Sequence, residues 1–162
     1  MRKVATIVER RSRGKLFKTE CRATGNLFTV RHALLDTMNA GHDDGVPASI
    51  LREINYMRCL KGSHVQNLVA VEVKASCVKI QYEHHPYNLR DFMQQDMKTI
   101  DDTKNIGIGK IRNLMRSLVD ALAKCHSSGV MHRNLKPDNI LVNAEGDVLL
   151  TDFALGRQMI RA

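Results

Sequence analysis

A chain of 162 residues has room for one domain or a small two-lobed one. Apolar residues make up 43% of it, enough for a core and too many for a wholly disordered chain. The net charge is +8, and no apolar run is long enough to read as a membrane span or a signal peptide.

Aromatic residues are only 4% and Trp is absent, so aliphatic packing must dominate, with the eight Met residues filling gaps. Cys21, Cys59, Cys77 and Cys125 lie far apart and form no CxxC pair. That spacing argues against zinc and for buried thiols in a reducing, intracellular setting, cytoplasm or nucleus. Arg2, Lys3, Arg10, Arg11, Arg13, Lys15 and Lys18 face only Glu9 near the start of the chain. They read as a solvated strand surface or as an anion site. No aromatic residue interleaves with them before Phe17, which argues against nucleic acid.

In chain order, "VATIV", "KLFKTEC" and "NLFTV" predict strands, with "ATGN" as a hairpin turn between the last two. "TMNAGHDDG" predicts a loop, and Pro47 then suits the first turn of a helix. That helix carries Ile50, Leu51, Ile54, Met57 and Leu60 at helical spacing, and Gly62 ends it. "LVAVEV" and "CVKIQY" predict two more strands. "EHHPYN" breaks the pattern, and "NLRDFMQQ" predicts a short helix. From Ile111 a longer helix places Leu114, Met115, Leu118, Val119, Leu122 and Cys125 on one stripe. Gly129 stands as its C-terminal cap. A loop then leads to "NILV" and "DVLLT" around the turn "NAEG". The order predicts an α+β, bilobal plan with a cleft at the break, divided into 1–83 and 84–162.

"HRNLKPDN" followed by "TDFALGR" resembles the catalytic and metal-binding loops of eukaryotic protein kinases. "GVPASILRE" looks like the cyclin-binding helix of the cyclin-dependent kinases. The resemblance runs nearly colinearly from about Val4 to the C-terminus. It implies a protein-kinase-like fold with a complete β-rich N-lobe and a partial C-lobe, because only residues 153–162 follow Asp152. On this reading the chain is truncated after the metal-binding motif. The activation segment and the substrate platform are missing, and Arg133 has no phosphate partner.

The family transfers the γ-phosphoryl of ATP to Ser or Thr hydroxyls, chiefly by positioning and charge neutralisation. By resemblance, Asn139 and Asp152 hold Mg²⁺ as hard oxygen ligands, and Lys136 neutralises the transferred phosphate. Asn134 stands where the family has its catalytic Asp, and an amide takes no proton. Arg31 stands at the ATP-binding lysine, where a planar guanidinium replaces a compact ammonium. It is expected to pair with Glu53. The family's three loop glycines fall at Glu9, Arg11 and Gly14. "DFALGR" exchanges the Ala and Gly of the family's "DFGLAR". For adenine, Leu16 and Leu141 match the apolar lid and floor, Thr29 replaces an alanine, and Tyr82 guards the back. Backbone groups of Glu83 and His85 match the hinge.

The resemblance therefore implies a cyclin-dependent-kinase-like domain that is catalytically impaired, a pseudokinase. ATP and Mg²⁺ binding is weak or lost, and a cyclin-type partner docks through Val46, Pro47, Ile50 and Arg52. The 111–125 helix is expected to self-associate or to be covered by a partner. The alternatives are a weakly active Ser/Thr kinase and a truncated gene product without a settled function.

Overall fold

The structure, a computed structural model, describes residues 2–11, 14–35, 45–62, 64–98, 108–143 and 146–159. For residues 2–11 and 95–98 only the backbone is described. The chain forms two units, one of 1–51 with 67–84 and the other of 52–66 with 85–162.

The first unit is a five-stranded antiparallel sheet in the order β1-β2-β3-β5-β4. Its strands are β1 (Arg2–Arg11), β2 (Gly14–Glu20), β3 (Leu27–Leu34), β4 (Leu68–Val73) and β5 (Cys77–Glu83). Every strand predicted for this region is present. The β2–β3 turn closes as expected, with Gly25 at φ 71° and its N–H on the Cys21 carbonyl at 2.8 Å. Alternation along the central strands turns Ala33, Val78, Ile80 and Tyr82 to one buried face, and Val30 is buried on the opposite face. Edge strand β4 keeps Val69 and Val73 exposed.

Gly14 has a reason of its own to be glycine. Its φ is 121°, and a Cβ there would collide with the carbonyl oxygen of His32 on the neighbouring strand. The glycine is needed for sheet geometry whatever the loop before it binds. Arg13 lies outside the described residues, as do the side chains of Glu9 and Arg11. The loop 37–44 lies outside them too.

Helix α1 (Ala48–Cys59) begins where Pro47 predicts, with the Pro47 carbonyl accepting the N–H of Ile50 at 2.8 Å. Ile50, Met57 and Leu60 are buried, but Leu51 is 54% exposed. Leu51 therefore leaves the expected stripe. The division between the two units falls within this helix, after Leu51.

The second unit adds helices α2 (Leu89–Lys98) and α3 (Ile108–Ser127). A three-stranded sheet is built from β6 (Tyr87–Asn88), β8 (Ile140–Val142) and β9 (Val148–Leu150). A further pair joins β7 (Val130–Met131) to β10 (Arg157–Gln158). Asn88 caps α2, its Oδ1 accepting the N–H of Asp91 at 2.8 Å. Gly129 ends α3 at φ 73°. Helix α3 buries Ser117, Ala121 and Cys125, and the Ser117 hydroxyl accepts the N–H of Val148 at 2.8 Å. Burial alone pushes the Cys125 thiol up to about 11, so it is inert as a nucleophile at neutral pH. Leu114, Leu118 and Leu122 are half-buried, whereas Ile108, Ile111, Met115 and Val119 are exposed. The predicted stripe is thus split between a buried edge and an outward row.

Candidate active site

The loop after α3 is held at both ends by strand pairing. On one side Met131 pairs with Arg157. On the other, Ile140 pairs with Leu150. The segment 132–139 must therefore lie against 151–156. Pairing at the flanks brings together residues that are far apart in sequence.

His132 organises the contact. It is almost wholly buried, with its ring edge-on to Phe153 at a centroid distance of 4.6 Å. The backbone N–H of Asn134 donates to its Nδ1 at 3.2 Å. Nδ1 is therefore the acceptor, and Nε2 carries the proton that is donated to the Thr151 carbonyl at 2.9 Å. Burial pushes the imidazole pKa below its ordinary value, opposed by the Thr151 bond and the Asp152 charge. The ring is neutral in this arrangement.

Thr151 is gripped from three sides. Its N–H donates to the Asn139 carbonyl at 3.1 Å, and its carbonyl accepts from His132. Its buried hydroxyl donates to Oε1 of Gln66 at 2.6 Å. The next residue, Asp152, sits in the left-handed region at φ 64° and ψ 63°. Arg133 shares that region at φ 63°. A non-glycine residue held there costs on the order of 1–3 kcal/mol, and such residues cluster at functional sites.

Asn134 joins its own segment to the second one. Its Nδ2 donates to Oδ2 of Asp152 at 2.8 Å, and its carbonyl accepts from Nδ2 of Asn139 at 2.9 Å. The second bond fixes the orientation of the fully buried Asn139 amide, so Oδ1 is its acceptor end. Lys136 is exposed and leads into the 3₁₀ turn Pro137–Asn139. That turn is tied to α2 by Arg90, which bonds both carboxylate oxygens of Asp138. Leu141 follows on β8 and is half-buried.

This geometry repeats, at tertiary level, the spacing that the sequence showed. The chain matches the protein kinase domain family over residues 11–162. The chain belongs to the protein kinase family. It is 31% identical over 147 residues to a protein of Dictyostelium discoideum named cyclin-dependent kinase 7, and so resembles the cyclin-dependent kinases. The match covers 90% of this chain and 39% of that relative, so the chain spans well under half of the relative's length. The fold is the α+β fold of protein kinases, with a β-sheet N-lobe and part of a C-lobe.

Within this kinase fold the expected site residues fall into two groups. Asn134, Lys136, Asn139, Leu141 and Asp152 are gathered in the second unit, which also holds Glu53 and His85. The first unit holds the rest. Leu16 and Arg31 are cross-strand partners on β2 and β3. Thr29 lies two residues from Arg31 on the same face, and its hydroxyl is 3.0 Å from Nδ1 of His84. The Glu83 N–H donates to the Asn67 carbonyl at 3.0 Å. Arg31 at 6% exposed and Glu53 at 1% are both buried charges, each in its own unit.

Asn139 and Asp152 offer hard oxygen ligands, the donor type that Mg²⁺ takes. Among the described residues no cluster of three or more His, Cys, Asp or Glu is suited to a metal. Among the described residues, no helix is long and apolar enough to cross a membrane.

His132, Gln66, Thr151 and the Arg90–Asp138 pair are absent from the expected site. His132 opens "HRNLKPDN" and Thr151 opens "TDFALGR", so membership of the motifs was an available signal. Gln66 and Arg90 lie far along the chain and carried none.

Proposed function

We propose that this is a cyclin-dependent-kinase-like domain whose phosphoryl transfer is impaired and which works through protein partners. One observation carries the reading. The Asn134 side chain, at the position of the family's catalytic Asp, is turned with its donor end onto Asp152. A donor amide neither accepts the proton of a substrate hydroxyl nor orients it as a carboxylate does. Loss of such a base costs about 10²–10⁴ in rate. Arg31 in place of a lysine compounds this, since a guanidinium does not reproduce a compact point charge. The residues assigned to nucleotide are Leu16, Thr29, Arg31 and Glu83 on the first unit, with Glu53, His85 and Leu141 on the second. Lys136 is assigned to the phosphate, and Asn139 with Asp152 to Mg²⁺.

For the partner, the start of α1 is the proposed dock. Pro47 and Arg52 are exposed and Val46 is half-buried. Ile50, expected as a contact, is instead 5% exposed and anchors the helix from inside, so exposed Leu51 replaces it on the outer face. A cyclin-type protein is the partner class. The outward row of α3 is a second surface for a partner or another copy of the chain.

A weakly active Ser/Thr kinase is the second reading. It is favoured by the Asn139 amide, whose acceptor end is already selected by its bond to Asn134.

The test is calorimetric titration of ATP with and without Mg²⁺, paired with radiolabel transfer to generic protein substrates. Weak nucleotide binding and background transfer are expected. Transfer that disappears in Asp152→Ala overturns the reading in favour of the second.

A further inference from the structure

The bond between Asn134 and Asp152 has a role beyond the loss of a base. Asn134 makes three hydrogen bonds, through its N–H to His132, its carbonyl to Asn139 and its amide to Asp152. The two backbone bonds hold its main chain in place, and its side chain aims the NH₂ group at Oδ2 of Asp152. A neutral donor on a carboxylate forms a charge-assisted bond, stronger than one between neutral groups. A carboxylate at position 134 would instead set two anions at hydrogen-bond distance. Such a pair repels unless a cation lies between or beside the two groups.

We propose that Asn134 is an internal latch that gives Asp152 the electrostatic complement a divalent cation would otherwise supply. The Asn134–Asp152 bond then helps to join the segments 132–139 and 151–156 without a cation, and a cation that takes Oδ2 of Asp152 competes with the amide for it. Asn134 is on this view a positioning residue for Asp152. The inference rests on the proposed assignment of Asn139 and Asp152 as the cation-facing pair, and is independent of whether transfer is lost.

The test uses nucleotide-free full chain. Wild type, Asn134→Ala and Asn134→Asp are titrated with Mn²⁺ by calorimetry. Each is also melted in chelator, in Mg²⁺, and in K⁺ at matched ionic strength. Wild type is expected to melt at the same temperature in chelator and in Mg²⁺. Asn134→Ala, with the latch removed and no charge added, is expected to bind Mn²⁺ about fivefold more tightly, near 1 kcal/mol. Asn134→Asp is expected to melt below wild type in chelator and to recover in Mg²⁺ but not in K⁺. The alanine variant keeps the test decisive if the aspartate variant fails to fold. Equal Mn²⁺ affinity in wild type and Asn134→Ala overturns the proposal, as does a Mg²⁺ gain in wild type matching that of the variants. Phosphoryl transfer by wild type would sink the functional reading without moving either readout.

Discussion

Arg90 reaches from the first turn of α2 to clamp Asp138 with two parallel bonds, Nε to Oδ1 at 2.8 Å and Nη2 to Oδ2 at 3.0 Å. The fork pins the 3₁₀ turn that delivers Asn139 into the site. The guanidinium holds the Asp138 carboxyl below its usual range, against a smaller opposing effect of burial. A carboxyl depressed in the folded state contributes stability that is complete above its unfolded value and is lost as pH falls through the folded one. Arg90→Ala should lower the melting temperature modestly, because the pair is part-exposed and screened by salt. The difference from wild type should shrink in high salt and vanish in strong acid. Melting curves across salt and pH check this, and a difference that persists in strong acid would assign the effect to packing.

His132 makes stability depend on pH near neutrality. Its pKa is depressed by burial, so the folded state binds a proton less readily than the unfolded chain. Stability is full above the ordinary value of 6.5 and declines as pH falls below it, toward the lower folded value. His132→Leu should remove that slope and cost about 1–3 kcal/mol, since the Thr151 carbonyl and the Asn134 N–H both lose a partner. Denaturant midpoints at successive pH values measure both effects. A wild-type midpoint that stays flat below pH 6.5 would contradict the neutral-ring assignment.

Gln66 and Thr151 form a buried tie between the segment after α1 and the residue before Asp152. Thr151→Val preserves shape and deletes the donor, at an expected cost of about 1–3 kcal/mol. In a double-mutant cycle with Gln66→Leu the two losses should be less than additive. Strict additivity would mean that the hydroxyl is bonded elsewhere.

Two glycines of the sheet unit should respond differently to the same change. Gly14→Ala drives a methyl group into the His32 backbone and should impair folding of the unit. Gly25→Ala meets no atom within 4 Å and carries only the left-handed strain, about 1–2 kcal/mol. Soluble yield and melting temperature of the two variants discriminate these outcomes.

The exchange of Ala and Gly in "DFALGR" also has a packing cause. Ala154 is fully buried at a negative φ, where a methyl group is accommodated. A Cβ on Gly156 would lie 2.9 Å from the Phe153 carbonyl oxygen and 2.9 Å from Cδ2 of Tyr56. Gly156→Ala should therefore destabilise, by about 1–3 kcal/mol for an overpacked site. Tyr56→Ala in the same chain should restore part of the loss, as read by melting temperature.

The elements themselves were readable from local pattern. Short apolar runs between turn residues marked the strands, and the 3.6-residue period marked α1 and α3, because burial on one helix face imposes that repeat. The paired strands β6, β7 and β10 were not readable. Each is two residues long, and a repeat cannot show in so short a run. Motif spacing likewise pointed to Asn134, Asn139 and Asp152. It could not show that Asn134 donates to Asp152, that Gln66 anchors Thr151, or that Ile50 turns inward while Leu51 turns out. Those relations join residues distant in sequence or select one rotamer among several. Only closing the chain on itself, with every buried donor needing an acceptor, decides them.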